Sequence, residues 1–345
     1  MHNYNKANKW LEFLPGIPMN EQKIRERWYG GAPVGWGAKV AARFFGLISG
    51  VRRWCYQVGL CKTHQLKAPV IVVGNITAGG GGKTPMVMWL VEYLKTMGYR
   101  PGIISRGYGG KRKVEPMFVT ANADPAASGD EPLLMAKKTQ CPVMVGKDRV
   151  KAGQSLLKGH NVNVIVADDG MQHYSLGRQA EIVMIDARWR TGNNLLMPAG
   201  PLREPLERLN EVDLVVFKGY MQGQQHYQLA IDEIQRLNHS RETKPIADFR
   251  SQKVVAMAGI ANPDSFFSML AAAGLAIVKH PLPDHHQITA ADFEPHQDSV
   301  VLITEKDAVK CAQLDLPNVW VVKLKITMPE ETTQALSELV TRVMQ

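Results

Sequence analysis

Cysteine is scarce: four in 345 residues (Cys55, Cys61, Cys141 and Cys311), with no CxxC pair and no dense framework. That argues against a disulfide scaffold or a zinc ribbon and points to a reducing cytoplasm. Long apolar runs are missing too. No stretch approaches the ~18 apolar residues that span a bilayer, so the chain is not expected to cross one. The opening MHNYNKANKW lacks an apolar h-region and a cleavage site, and does not read as a secretory signal. Acidic residues are outnumbered, 32 Asp and Glu against 41 Lys and Arg, for a formal charge of +9. This excess favours an anionic partner such as phosphate, nucleic acid or a membrane surface. No helix-turn-helix, zinc or RNA-recognition signature is present, which argues against nucleic acid. At 45% hydrophobic and 21% charged, the chain can still bury a sizeable core. Its length suits roughly two domains.

The basic excess is concentrated. Residues 20–62 hold Lys23, Arg25, Arg27, Lys39, Arg43, Arg52, Arg53 and Lys62 against Glu21 and Glu26, together with Trp28, Trp36 and Trp54. Within 39–60, Val40, Phe44, Leu47, Val51, Trp54 and Val58 recur at steps of four and three, one face of a helix. Phe45 and Ile48 widen the stripe, Arg43, Arg52 and Arg53 flank it, and Gly46 and Gly50 weaken it slightly. Such a helix either lies in a membrane interface, with its arginines among lipid phosphates, or packs on the protein body with them solvated.

Beyond residue 67 short aliphatic runs alternate with helix-length segments: 70–73, 102–104, 142–145, 164–167, 181–185, 213–217, 254–258, 300–304 and 319–322. Continuous apolar runs suit strands buried on both faces, so the pattern predicts an α/β fold with a mostly parallel sheet flanked by helices. The polar stretch 219–244 is expected to be a linker with one helix, and a boundary is expected near 205–250.

The sharpest local feature is VIVVGNITAGGGGKTPMVMWLVEYLKTMG, residues 70–98. A buried strand runs into a glycine-rich loop, and Lys83–Thr84 open an amphipathic helix with Val87, Leu90, Val91 and Leu94 on its apolar face. Glycines let backbone N–H groups curl around a phosphate at a helix N-terminus. Lys83 would hold β- and γ-phosphates and the Thr84 hydroxyl would bind Mg²⁺. Thr77 stands where the usual pattern has its first glycine. In VIVADDGMQH, Asp168 and Asp169 follow four apolar residues, at the strand end that faces the ligand crevice of a parallel sheet. An acid there suits Mg²⁺ or its waters.

Eight segments in order resemble the tetraacyldisaccharide 4'-kinase family of lipid A synthesis: GNITAGGGGKTP (74–85), SRGYGG (105–110), GDEPLLMA (129–136), GKDRV (146–150), DDGMQH (168–173), PAGPLREP (198–205), PDHH (283–286) and TEKDAVK (304–310). The likeness covers roughly residues 23–345 and implies a P-loop NTPase-like kinase. ATP would phosphorylate the 4'-hydroxyl of a tetraacyldisaccharide 1-phosphate to give lipid IV-A, with Mg²⁺ as cofactor. The resemblance implies a phosphate cradle of Thr77, Ala78, Gly79, Gly80, Gly81, Gly82, Lys83 and Thr84. It makes Asp130 the catalytic base paired with His285, with His286 as rival, although Asp130 by itself also reads as a helix cap. Glu131, Asp169 and Thr84 would hold Mg²⁺, supported by Asp168. Gln172 and His173 would line the nucleotide side, and Arg106, Arg149 and Arg203 would clamp phosphate. Glu204 and Tyr108 are lesser candidates. The partners implied are the lipid and an anionic inner-membrane surface, held peripherally at its cytoplasmic face, with no nucleic acid and no obligate protein partner. The division implied is 1–66 for an N-terminal extension and amphipathic helix, 67–215 for the P-loop core, and 216–345 for a smaller α/β unit closing over the site.

Two departures stand out. Residues 215–218, VVFK, differ from the family's usual segment ending in Asn–Gly, and residues 1–22 precede the matched part. Rival readings remain. A GTPase should carry NKxD, but residues 300–307 offer Lys306 one place too late before Asp307. A membrane-bound ATPase would share the phosphate loop and basic helix without needing Asp130 and His285 together.

Overall fold

The computed structural model describes residues 21–284 and 286–345; the expected extension at 1–20 lies outside them. The N-terminal half contains α1 (Glu21–Tyr29), α2 (Trp36–Gln57), β1 (Val70–Gly74), α3 (Lys83–Thr96), β2 (Pro101–Ser105), β3 (Met117–Val119), α4 (Pro125–Ser128), α5 (Asp130–Thr139), β4 (Val143–Val145), α6 (Arg149–Gly159), β5 (Val164–Asp168), β6 (Ala180–Asp186) and β7 (Leu214–Lys218). There follow β8 (His226–Arg236), β9 (His239–Lys244), β10 (Lys253–Ala258), α7 (Pro263–Ala272), β11 (Ala276–Pro281), β12 (Val300–Thr304), α8 (Glu305–Cys311), β13 (Val319–Thr327) and α9 (Glu330–Met344).

All nine apolar runs form strands. They join one mixed, mostly parallel sheet ordered β11-β10-β12-β13-β8-β7-β6-β1-β5-β2-β4-β3, with β9 paired to β8. Period-2 alternation explains why they are apolar throughout. In β1, Ile71 and Val73 join the core beneath α3, whereas Val70 and Val72 join the core on the opposite face. The strands β5 and β6 divide their side chains the same way. Further along, Val254 and Ala256 face one core while Val255 and Met257 face another. Each such fully buried aliphatic side chain contributes about 1.5–3 kcal/mol.

The linker expected at 219–244 is instead the hairpin β8–β9. The first residues of β8 pair in parallel with β7, the rest of β8 runs antiparallel to β13, and β9 pairs antiparallel with β8. Tyr227, Leu229 and Ile231 alternate, but the next inward residue is Ile234, because the register shifts where Val322 faces Ile234 and Leu324 faces Ile231. This bulge breaks the alternation that a sequence window detects.

Helix α2 holds its apolar stripe outward. Phe44 is 63% exposed, Leu47 63%, Ile48 68% and Trp54 54%, and Ala42 alone is buried. Two of the expected lipid-facing arginines turn the other way. Arg53 pairs with Glu211, while Arg52 donates to the Gln172 carbonyl and sits over the Tyr174 ring. These contacts fasten the polar side of α2 to the body, leaving Lys39 and Arg43 exposed. Among the described residues no helix is long and apolar enough to cross a membrane.

Candidate active site

The loop 75–82 leaves β1 and enters α3 at Lys83. Gly82 caps the helix at φ +80°, and a Cβ there would meet the Tyr227 hydroxyl and Lys218, so only glycine fits. The loop is pinned from two sides. Ala78 N donates to Pro201 O and Arg203 N to Ile76 O, both at 2.7 Å, which ties it to the 198–205 segment. Beneath it Ala78 packs with Ile24, Trp28 and Met197, joining α1 to the phosphate loop.

A cavity of about 830 Å³ opens over this loop. The expected cradle residues Thr77, Ala78, Gly79, Gly80, Gly81, Gly82, Lys83 and Thr84 line it, with Arg106, Tyr108, Glu131, Asp168, Asp169 and Arg203. Lys83 Nζ lies 3.5 Å and Arg203 Nη1 3.3 Å from the same oxygen of Asp169. Asp169 itself adopts φ +52°, a left-handed conformation that concentrates at functional sites. Beside it Ser105 Oγ donates to Asp168 Oδ2 at 2.8 Å, while the buried Asp168 Oδ1 has no hydrogen-bond partner among the described residues. Burial, then Glu131 and Asp169, push the Asp168 carboxyl up to about 7.

Other expected residues lie behind the cavity. Arg149 is buried, donating from Nη1 to Lys147 O and from Nη2 to Asp169 O, so it braces the loop after β5 instead of lining the cavity. His173 Nε2 accepts from Arg149 N, and Gln172 donates to Asn75 O and Glu204 Oε1. Neither is among the residues that line the cavity. Glu204 is buried among Gln172, Tyr174 and Arg208, a brace for the same segment.

Asp130 is the first helical residue of α5, buried behind Gly129 at φ +89°. Its partner from the sequence reading, His285, lies outside the described residues. The rival, His286, has its Nε2 2.9 Å from Asp292 Oδ1. Lys306, not chosen from the sequence, reaches this corner from the start of α8, 3.3 Å from Asp284 and 3.6 Å from Glu131. Burial pulls its pKa down, but Glu131, Asp284 and Asp130 outweigh that and hold the ammonium above its ordinary value. The signal was available: residues 304–307 follow a buried parallel strand, the rule that singled out Asp168. Asp307 serves the scaffold, accepting from Thr304 Oγ1 and Gly259 N and pairing with Lys310.

A loop shaped for phosphate faces acids that can take a proton or hold a cation, across a cavity large enough for a nucleotide. The protein is therefore a P-loop phosphotransferase. Residues 36–343 match the family described as Tetraacyldisaccharide-1-P 4'-kinase. Among similar proteins, the tetraacyldisaccharide 4'-kinase of Nitrosococcus oceani is 45% identical over 308 residues, 89% of this chain and 90% of that one. That of Methylobacillus flagellatus is 41% identical, covering 93% of this chain and 97% of its own. A crystal structure of the Aquifex aeolicus LpxK in complex with ATP superposes with a TM-score of 0.74 at 29% identity, covering 88% of this chain and 97% of that one. The chain belongs to the tetraacyldisaccharide 4'-kinase family and is an ATP-dependent kinase of lipid A synthesis.

Proposed function

We propose that ATP binds in the phosphate loop and that Asp130 takes the proton from the 4'-hydroxyl of a tetraacyldisaccharide 1-phosphate as it attacks the γ-phosphate. His285 orients Asp130. Lys83 and Arg203 neutralise phosphate charge, a role supported by their convergence on one oxygen of Asp169. Phosphoryl transfer depends on such positioning more than on covalent chemistry.

The acids also fit Mg²⁺. Asp168 carries a buried oxygen without a hydrogen-bond partner among the described residues, and hard oxygen donors suit this ion. Glu131, Asp168, Asp169 and Thr84 would hold it, and bound Mg²⁺ would neutralise charge on the transferring phosphoryl group.

The exposed apolar face of α2 lies on the membrane holding the lipid, peripherally and at the cytoplasmic face of the inner membrane. Residues 67–215 act as the phosphate-loop unit, and 216–345 as a smaller unit closing over it.

The single observation that carries this reading is the junction of Lys83, Arg203 and Asp169 at the mouth of the phosphate loop. The test is transfer of labelled γ-phosphate from ATP to tetraacyldisaccharide 1-phosphate in detergent micelles, with Mg²⁺ present or chelated. Label on the lipid only with Mg²⁺ supports the assignment. ATP hydrolysis with unlabelled lipid would overturn it.

A further inference from the structure

We propose that Lys218 and Asp186 clamp the sugar end of the bound nucleotide, Asp186 accepting from ribose hydroxyls and Lys218 donating to an oxygen at the ribose–α-phosphate junction. The proposal rests on the kinase reading above.

These residues end β7 and β6 and face each other in the strand register. Both line the cavity, with side chains 25% and 13% exposed. Lys218 Nζ is 3.8 Å from Asp186 Oδ2, beyond hydrogen-bond length, so neither group is saturated by the other. Asp186 Oδ1 accepts from Arg188 N at 3.0 Å, which fixes the carboxylate, and Oδ2 is the oxygen on the Lys218 side. An ammonium placed this deep beside a single carboxylate is costly unless a ligand supplies acceptors.

The position fits the sugar. A Cβ on Gly82 would lie 2.7 Å from Lys218 Cδ, so the lysine stem runs along the phosphate loop next to Lys83. The strand β1 sits between β5 and β6 in the sheet. The acids that would hold the ion at the terminal phosphate, Asp168 and Asp169, stand on the β5 side. A nucleotide held by the loop with its terminal phosphate toward β5 places its ribose toward β6 and β7. Ribose offers two hydroxyl donors for a carboxylate, and its phosphate ester offers oxygen acceptors for an ammonium.

The competing role for Lys218 is to prop Gly82 with its stem. Lys218→Met separates the two, because methionine keeps an unbranched stem and loses the charge. ATP affinity is measured by titration calorimetry without lipid, so the result does not depend on the acceptor reaction. The clamp predicts about tenfold weaker ATP binding by Lys218→Met. Lys218→Arg should stay within about threefold of wild type. Wild type should prefer ATP over 2',3'-dideoxy-ATP, and Asp186→Asn should lose that preference. Wild-type ATP affinity in Lys218→Met would overturn the proposal. So would equal losses in Lys218→Met and Lys218→Arg, or a sugar preference that survives in Asp186→Asn. Transfer of label to lipid by the wild-type enzyme, measured separately, keeps failure of the clamp distinct from failure of the kinase reading.

Discussion

Lys83, the first residue of α3, places its ammonium 3.5 Å from Oδ1 of Asp169, just past the end of β5, and Arg203 reaches the same oxygen at 3.3 Å. One carboxylate oxygen thus holds two cations at the mouth of the phosphate loop. A triphosphate entering the loop would offer those cations denser negative charge.

Lys83→Ala is therefore expected to lower kcat for lipid phosphorylation by about 10²–10³-fold, the scale set by losing one preorganised charge at a transition state. Steady-state assays at saturating ATP check this. Near-normal turnover would remove Lys83 from the mechanism.

Asp130→Asn should lose about 10²–10⁴-fold in transfer, the range for general-base catalysis, yet bind ATP normally, because the phosphate loop does not depend on it. Binding and turnover measured on the same preparation separate the two effects. Loss of ATP binding would assign Asp130 to the scaffold.

Lys306 counters the charges of Glu131, Asp284 and Asp130 at a buried corner. Removing the cation leaves these buried acids less compensated, so Lys306→Met should destabilise the fold by about 3 kcal/mol as well as slow transfer. Urea unfolding provides the measurement, and wild-type stability would contradict it.

His173 makes one contribution to the pH dependence of stability, and Asp168, whose carboxyl is pushed up to about 7, makes one of opposite sign over the same window. Burial, reinforced by the Arg149 charge, pushes the His173 pKa down to about 4 from 6.5, and in the folded protein its Nε2 accepts from Arg149 N. As pH falls from 6.5 towards 4, the unfolded chain takes up a proton that the folded ring refuses. Stability present above pH 6.5 is thus lost over that window, by about 2 kcal/mol given the ring's partial exposure. His173→Gln, which keeps an acceptor but does not titrate, should remove this contribution from the profile. An unchanged slope would dismiss the histidine.

The exposed face of α2 predicts that Leu47→Glu with Ile48→Glu will reduce sedimentation with anionic vesicles, since each fully buried apolar side chain is worth about 1.5–3 kcal/mol. Point changes are preferable to deleting 1–62. Deletion would also remove Ile24 and Trp28, which pack on Ala78 of the phosphate loop. Full sedimentation of the double variant would refute the membrane contact.

The phosphate loop, the nine core strands and Asp168–Asp169 were legible in the sequence because each depends on a local pattern. A run such as 70–73 is apolar at every position because both faces of its strand are covered. A glycine-rich turn followed by Lys–Thr carries its chemistry within about ten residues. Strand β8 was hidden because a bulge at residues 231–234 breaks its alternation. Tertiary structure alone decided the rest. It kept Arg149, Gln172 and His173 out of the cavity lining, brought Lys306 from more than a hundred residues away to Glu131, and turned Arg52 and Arg53 towards the body. Each of these depends on which residues at distant positions face each other across strand ends, and the order β7-β6-β1-β5-β2 sets that only once the sheet has formed.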